Sequence, residues 1–187
     1  MSLNIDNLKV ASTYGNLPVA FRTYKISATS TVSAASVMTE YDILSQTITI
    51  PDDVDISGTI YLHTLWTWFG EIINTNNENT MLDITVTYNG STTVRPHTFS
   101  GIGSRGYGIT TMAINFWREQ ASTPEVATVG GTVTLTGLTS RTLTVKLRYI
   151  NTYSGTATIY TNRVANDVYG DSFYERGITT LACTFYK

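Results

Sequence analysis

Thr142-Leu143-Thr144-Val145-Lys146-Leu147-Arg148-Tyr149 alternates polar and apolar side chains without a break. Neighbouring side chains of an extended strand point to opposite faces. Leu143, Val145, Leu147 and Tyr149 therefore share one side and the polar set faces water. A helix would scatter the same four residues around its axis. Just upstream, Val133 and Leu135 alternate with Thr132, Thr134 and Thr136, and Gly137 to Arg141 supplies a turn. The two matched segments read as a hairpin with one wet face.

Outward from this pair the pattern repeats. Short segments rich in Val, Ile, Thr, Tyr, Phe and Trp are separated by Gly, Asn, Asp and Ser, the signature of strands and turns. Strands are expected near residues 19–27, 43–50, 58–69, 81–88, 92–99, 109–117, 131–136, 142–150, 156–162 and 178–186. Such spacing fits an all-β sandwich or barrel, and an antiparallel sandwich is expected. Residues 1–18 show neither period and end at Pro18, so they read as an extended N-terminal arm before a single domain over 19–187. Helix is nearly absent; at most a short turn is expected between Asn115 and Thr123, closed by Pro124.

Two segments refine the picture. Ile60 to Phe69 is apolar on both parities, with Ile60, Leu62, Trp66 and Trp68 against Tyr61, Leu65 and Phe69. Apolar surroundings on both faces place such a strand at the centre of a sandwich or at a subunit contact. Asn89-Gly90 is a strong hairpin signal. A two-residue loop would turn Val94 onto the wrong face. A three-residue loop, with Gly90 left-handed and a bulge, is expected to set Val94 opposite Ile84.

Composition narrows the function. The chain has 187 residues, a net charge of −2 and a charged fraction of 14%, low against the usual ~25%. Thr is the commonest residue. Hydroxyl and amide groups thus replace ions over much of the surface, which eases close approach to a neighbour because few charges need be desolvated. No run of Lys or Arg offers a footprint for nucleic acid. No apolar run is long enough to span a bilayer as a helix. The first six residues lack the layout of a secretory signal, and Cys183 is the one cysteine, so folding in a reducing cytoplasm is expected.

Candidate chemistry is sparse. Gly101-Ile102-Gly103-Ser104-Arg105-Gly106 spells a dinucleotide fingerprint, but strand-like residues follow where a helix N-terminus is needed, so a surface loop is expected. His63 and His97 are the two histidines and form no metal-ligand pattern. Asp52-Asp53-Val54-Asp55 reads as a solvated acidic turn, not a calcium loop. Asp167 and Asp171 are read the same way. Cys183 lies inside a strand and reads as a buried, inert thiol. Asn89-Gly90-Ser91 is formally a glycosylation sequon but is better explained as the hairpin turn. No nucleophile elbow occurs. Neither catalysis, nor a cofactor, nor a bound metal is expected.

Aromatic supply is the remaining feature, with 12 Tyr, 6 Phe and 3 Trp. Tyr and Trp join rigid area to one polar handle, which suits interfaces and sugar platforms. Trp66, Trp68 and Trp117 fall in strand segments and read as core. Tyr107, Tyr153, Tyr169 and Tyr174 fall in loops and are the candidate contacts for a partner or glycan.

The polar arm ending at Pro18, the Thr-rich strands Thr132 to Thr136 and Thr142 to Tyr149, and a chain ending in the strand Ile178 to Tyr186 together resemble the small jelly-roll structural proteins of virions. Bacteriophage capsid-decorating and fibre-tip domains are the nearest in style. The resemblance implies a jelly-roll sandwich that self-associates, with a trimer favoured, and attaches to a capsid, a tail or other virion proteins after assembly in the host cytoplasm. One departure matters. Genome-packaging shells usually carry a basic arm, whereas Lys9 is the sole basic residue among residues 1–18, so a decoration or appendage role fits better. A carbohydrate-binding module or lectin-like adhesion domain, with a surface glycan as ligand, is the alternative reading.

Overall fold

β-Branched and aromatic side chains fit a pleated surface, and the segments rich in them form strands. The computed structural model describes residues 18–36, 39–74, 80–96, 100–102, 125–151, 156–162 and 178–187. These hold β1 (Pro18–Ile26), β2 (Ser30–Ala34), β3 (Thr39–Thr49), β4 (Ile60–Asn74), β5 (Thr80–Tyr88), β6 (Thr92–Val94), β7 (Ser100–Ile102), β8 (Glu125–Leu135), β9 (Thr142–Asn151), β10 (Ala157–Thr161) and β11 (Thr179–Tyr186). No helix occurs among the described residues.

The strands form two antiparallel sheets packed face to face as a β-sandwich. In one, β8 pairs along one side of β4, while β11 and then β10 pair along the other. β1 and β2 continue outward from β11 and β10, which makes four rows. In the other sheet the rows are β3, β9, β5 and, end to end, β6 and β7. Numbered along the chain, the rows run 1-8-3-6 in the β4 sheet and 2-7-4-5 in the β9 sheet. Row one thus pairs with eight, two with seven, three with six and four with five. The second half of the chain retraces the first, and successive pairs alternate between the sheets.

Two expectations about pairing are corrected. Residues 131–136 and 142–150 do not form a hairpin: β8 pairs with β4, whereas β9 lies in the opposite sheet between β3 and β5. Alternation fixes which face is buried but not which strand lies alongside. Val133 and Leu143 enter the same core from opposite walls, and the 136–141 connection crosses between sheets, with Gly137 at a φ of 63°. The Asn89 hairpin does have a three-residue loop with Gly90 left-handed, at a φ of 78°. Its register, however, sets Val94 against Val86 instead of Ile84. Both valines stay on the core side, since the shift from Ile84 is two residues.

Other boundaries differ less. β8 begins earlier than expected, at Glu125. β2 has no counterpart among the expected strands because Ser30-Thr31-Val32-Ser33-Ala34 has little apolar content. The expected strand at 109–117, the turn at 115–123 and residues 1–17 of the arm lie outside the described residues; Pro18 already belongs to β1.

The core is the space between the sheets. Ile60, Leu62, Trp66 and Trp68 of β4 meet Leu82, Ile84 and Val86 of β5 and Leu143, Val145, Leu147 and Tyr149 of β9 in one buried cluster. A bulge beside Asp42 in β3 sends both Ile43 and Leu44 toward it. β4 is therefore central, hydrogen-bonded along both edges, as its two-sided apolar content implies.

Rows one and eight both break at the same height, where β1 gives way to β2 and β10 to β11. Asn162 closes that break. It is buried, with a φ of 56°. Its Nδ2 donates to the carbonyls of Ile26 (2.7 Å) and Ala28 (2.9 Å), and its Oδ1 accepts from the Thr179 amide (3.0 Å) and hydroxyl (2.7 Å). Its own amide donates to the Phe69 carbonyl at 2.9 Å. Beside it, Trp68 Nε1 donates to Thr161 Oγ1 at 3.0 Å and the Phe69 amide to Thr179 Oγ1 at 3.1 Å. Gly70 lets these chains close up, since a Cβ there would overlap both the Tyr160 carbonyl oxygen and the Trp68 ring.

Removing the Asn162 side chain leaves the buried Thr179 amide and hydroxyl and the part-buried Ile26 and Ala28 carbonyl bonds without their partner, and a buried group costs roughly 1–3 kcal/mol when unpaired. Asn162→Ala is expected to lose about 3 kcal/mol in urea denaturation. Asn162→Gly should lose about 1 kcal/mol less, because glycine accepts a left-handed φ. Equal losses would show that backbone conformation contributes nothing at this position.

Candidate interaction surface

The outward faces of the two sheets differ in chemistry. On the β9 sheet, parity turns Lys146 and Arg148 of β9, Asp42 of β3 and Asp83 of β5 away from the core. Arg148 Nε donates to Asp42 Oδ1 at 2.9 Å, and its Nη1 donates to Glu40. Lys146 meets Asp42 at 2.5 Å. Arg95, just past β6, grips both Glu40 oxygens at 2.6 and 2.7 Å and reaches Asp83 Oδ2 at 3.1 Å. Three acids and three bases thus neutralise one another across all four rows of that face.

Burial sets the titration of two members apart. The Arg95 hydrogen bond holds the Glu40 carboxyl below its ordinary range, with help from the nearby Arg148 charge. Asp83 has no exposed side-chain surface, and desolvation raises its pKa against the pull of Arg95 and a hydrogen bond from the Ile84 amide.

From Tyr61 to Phe69 the outward face of the β4 sheet carries almost no charge among the described residues. β4 presents Tyr61, His63, Leu65, Thr67 and Phe69 there. Tyr61 stands between Thr134 of β8 and Tyr186 of β11, His63 between Thr132 and Thr184, Leu65 between Gly130 and Ala182, and Thr67 between Thr128 and Thr180. β1 extends these rungs with Phe21, Thr23 and Lys25 beside Thr184, Ala182 and Thr180. Across the rungs from Tyr61 to Thr67, Lys25 is the one fully charged side chain among the described residues. Phe21 is 57% exposed and Tyr61 37%, high for large apolar side chains. Leu65 lies across β8 where Gly130 leaves room; a Cβ at Gly130 would sit 2.7 Å from its Cδ1. His63 Nδ1 lies 3.0 Å from Thr132 Oγ1, so the imidazole is part of this hydroxyl-lined surface. No described strand packs over it.

Tyr107, Tyr153, Tyr169 and Tyr174 lie outside the described residues, as do His97, Trp117, Asp167 and Asp171. Trp66 and Trp68 are core. Burial pushes the Cys183 thiol up to about 12, which leaves it unreactive at neutral pH. In the acidic turn, Asp55 accepts from the Ser57 amide (2.9 Å) and hydroxyl (2.7 Å) and pairs with Lys187, while the fully exposed Asp52 lies 3.7 Å from Arg141 Nε. No cluster of three metal-ligating side chains occurs among the described residues. Asn89 spends its amide on the Gly137 carbonyl and on Thr139, tying the hairpin to the sheet-crossing connection. Gly101 and Ile102 end β7, and the rest of the glycine-rich stretch lies outside the described residues.

Sequence reasoning names Tyr61, Leu65 and Phe69 as a second apolar parity that fits a central strand or a subunit contact, but does not count them among the candidate contacts. Their signal is the two-sided apolar content of Ile60 to Phe69, since the odd positions have to face something other than the core. No known family model matches the chain, and no curated protein sequence matches it either. What the chain does must then follow from these surfaces.

The ion network makes a pH-dependent contribution whose sign differs between its members. Glu40, with its pKa held low, stabilises the fold above its ordinary value of 4.5, and that stabilisation is lost as pH falls through the lower folded value. Asp83, with its pKa raised, opposes folding when ionised and is relieved on protonation. Glu40→Gln is expected to cost about 1 kcal/mol at neutral pH. The gap to wild type should shrink in acid denaturation below pH 4.5. A gap that stays constant to low pH would contradict the assignment.

Proposed function

We propose that this chain is a virion structural protein: a jelly-roll domain that self-associates and decorates, or attaches to, a capsid or tail. The observation that carries the reading is the pairing of a Thr- and aromatic-rich outer face, whose described rungs from Tyr61 to Thr67 carry the single charge of Lys25, with a sandwich whose opposite outer face is sealed by its own ion pairs. The first can be covered by protein with few ions to desolvate. The second is already satisfied. Support for the jelly roll comes from the row order, because a long antiparallel hairpin wrapped into two sheets brings row one beside eight and two beside seven, as here. Eight-stranded jelly rolls serve both as capsid and as lectin domains. The same topology and the exposed Phe21 and Tyr61 favour carbohydrate binding as the second reading, with a neutral sugar face stacking on these rings.

Particles banded in a density gradient from the source that encodes the chain provide the test. The full chain is expected to co-band with the particles in stoichiometric amount. A chain starting at residue 19 is expected to fold, with unchanged far-ultraviolet circular dichroism, yet to be lost from the band because its attachment arm is gone. Absence of the full chain from particles, together with saturable glycan binding that Tyr61→Ala removes, would replace this reading with the second.

A further inference from the structure

We infer that the outward face of the β4 sheet binds a second copy of this chain, face to face about a two-fold axis crossing the strands at the rung Thr23–Ala182–Leu65–Gly130. This rests on the reading of the protein as self-associating and names the surface and the symmetry. A pair then replaces the trimer that the virion resemblance implied.

Three features of the face select a copy of itself as occupant. Charge complementarity comes first. An isologous contact places identical patches against each other, so any cluster of like charge is doubled. This patch has the single charge of Lys25 among its described residues from Tyr61 to Thr67. The proposed axis carries Lys25 away from its copy and over the Phe21 ring of the other protomer, because residues 21 and 25 are equidistant from Thr23. A cation over an aromatic face is attractive.

Relief comes second. The rung on the axis holds the smallest side chains, Gly130 and Ala182, with Leu65 lying flat across Gly130. The rungs to either side match in pairs: Thr132 with Thr128 on β8, Thr184 with Thr180 on β11 and His63 with Thr67 on β4. A shallow centre between matched flanks is self-complementary in shape.

Area comes third. Four rows about 4.8 Å apart, with the seven residues of β4 from Tyr61 to Thr67 rising about 3.3 Å each, give on the order of 450 Å² of flat area per copy. Side-chain relief brings this toward the roughly 800 Å² per partner of a standard interface. An association in the micromolar range fits that size.

The test is sedimentation equilibrium of the full chain between about 1 and 100 µM, a span chosen to bracket micromolar affinity. Wild type is expected to pass from monomer to dimer. Phe21→Glu and Thr132→Glu, both at exposed positions, should each weaken the dimer at least tenfold with unchanged melting. Thr47→Glu, on the outward face of the β9 sheet, should leave it intact. If Phe21→Glu fails to fold, Thr132→Glu alone decides. A wild-type oligomer that neither face variant weakens, or that Thr47→Glu disrupts, overturns this surface while leaving self-association standing. A wild-type monomer throughout overturns both.

Discussion

β4 is hydrogen-bonded along both of its edges, and the rest of the structure is arranged around that constraint. Its register with β8 on one side and with β11 and β10 on the other fixes three rows of its sheet at once. Parity then commits Ile60, Leu62, Trp66 and Trp68 to the core and turns Tyr61, His63, Leu65 and Phe69 outward. A strand with this composition cannot hide both faces inside one sandwich. The outer half of its apolar content is left on the surface, where burial against a partner would recover roughly 25 cal/mol for each Å² removed from water.

The same sheet contains a place where two neighbouring rows break together. Asn162 spans that break with every polar atom of its side chain engaged, and it holds a left-handed conformation that few side chains tolerate. Asn162, just past β10, and Thr179, at the start of β11, are thereby held together at the break. The β9 sheet solves a different problem. Its outward face spans all four rows with alternating acids and bases, which costs desolvation at Asp83 but leaves no net charge to attract a partner.

Much of this fold is legible in the sequence because period-two alternation reports burial directly. Leu143 to Tyr149 and Leu82 to Val86 lie on the core face as their spacing requires, and Asn89-Gly90 forms the turn its chemistry favours. What alternation omits is the identity of the neighbour. Val133 and Leu143 carry the same pattern whether their strands pair or face each other across the core, so spacing alone suggests a hairpin that the fold does not form. β2 escapes notice because a Ser- and Thr-rich strand joins the sheet through backbone hydrogen bonds to β10, which leave no side-chain signature. The proposed interaction surface is half visible. The excess apolar content of Ile60 to Phe69 is plain, but the rungs that add Phe21, Tyr186 and Thr132 to it are cross-strand pairs between residues far apart in the chain.

Everything proposed for this protein depends on the asymmetry between its two outward faces, and hydroxyl-radical footprinting at low and high protein concentration tests that asymmetry most directly. Tyr61, Tyr186 and Phe21 are expected to lose reactivity as the concentration rises, while side chains on the outward face of the β9 sheet keep theirs. Protection confined to the β9 sheet, or reactivity at Tyr61 and Phe21 that does not change with concentration, would contradict it.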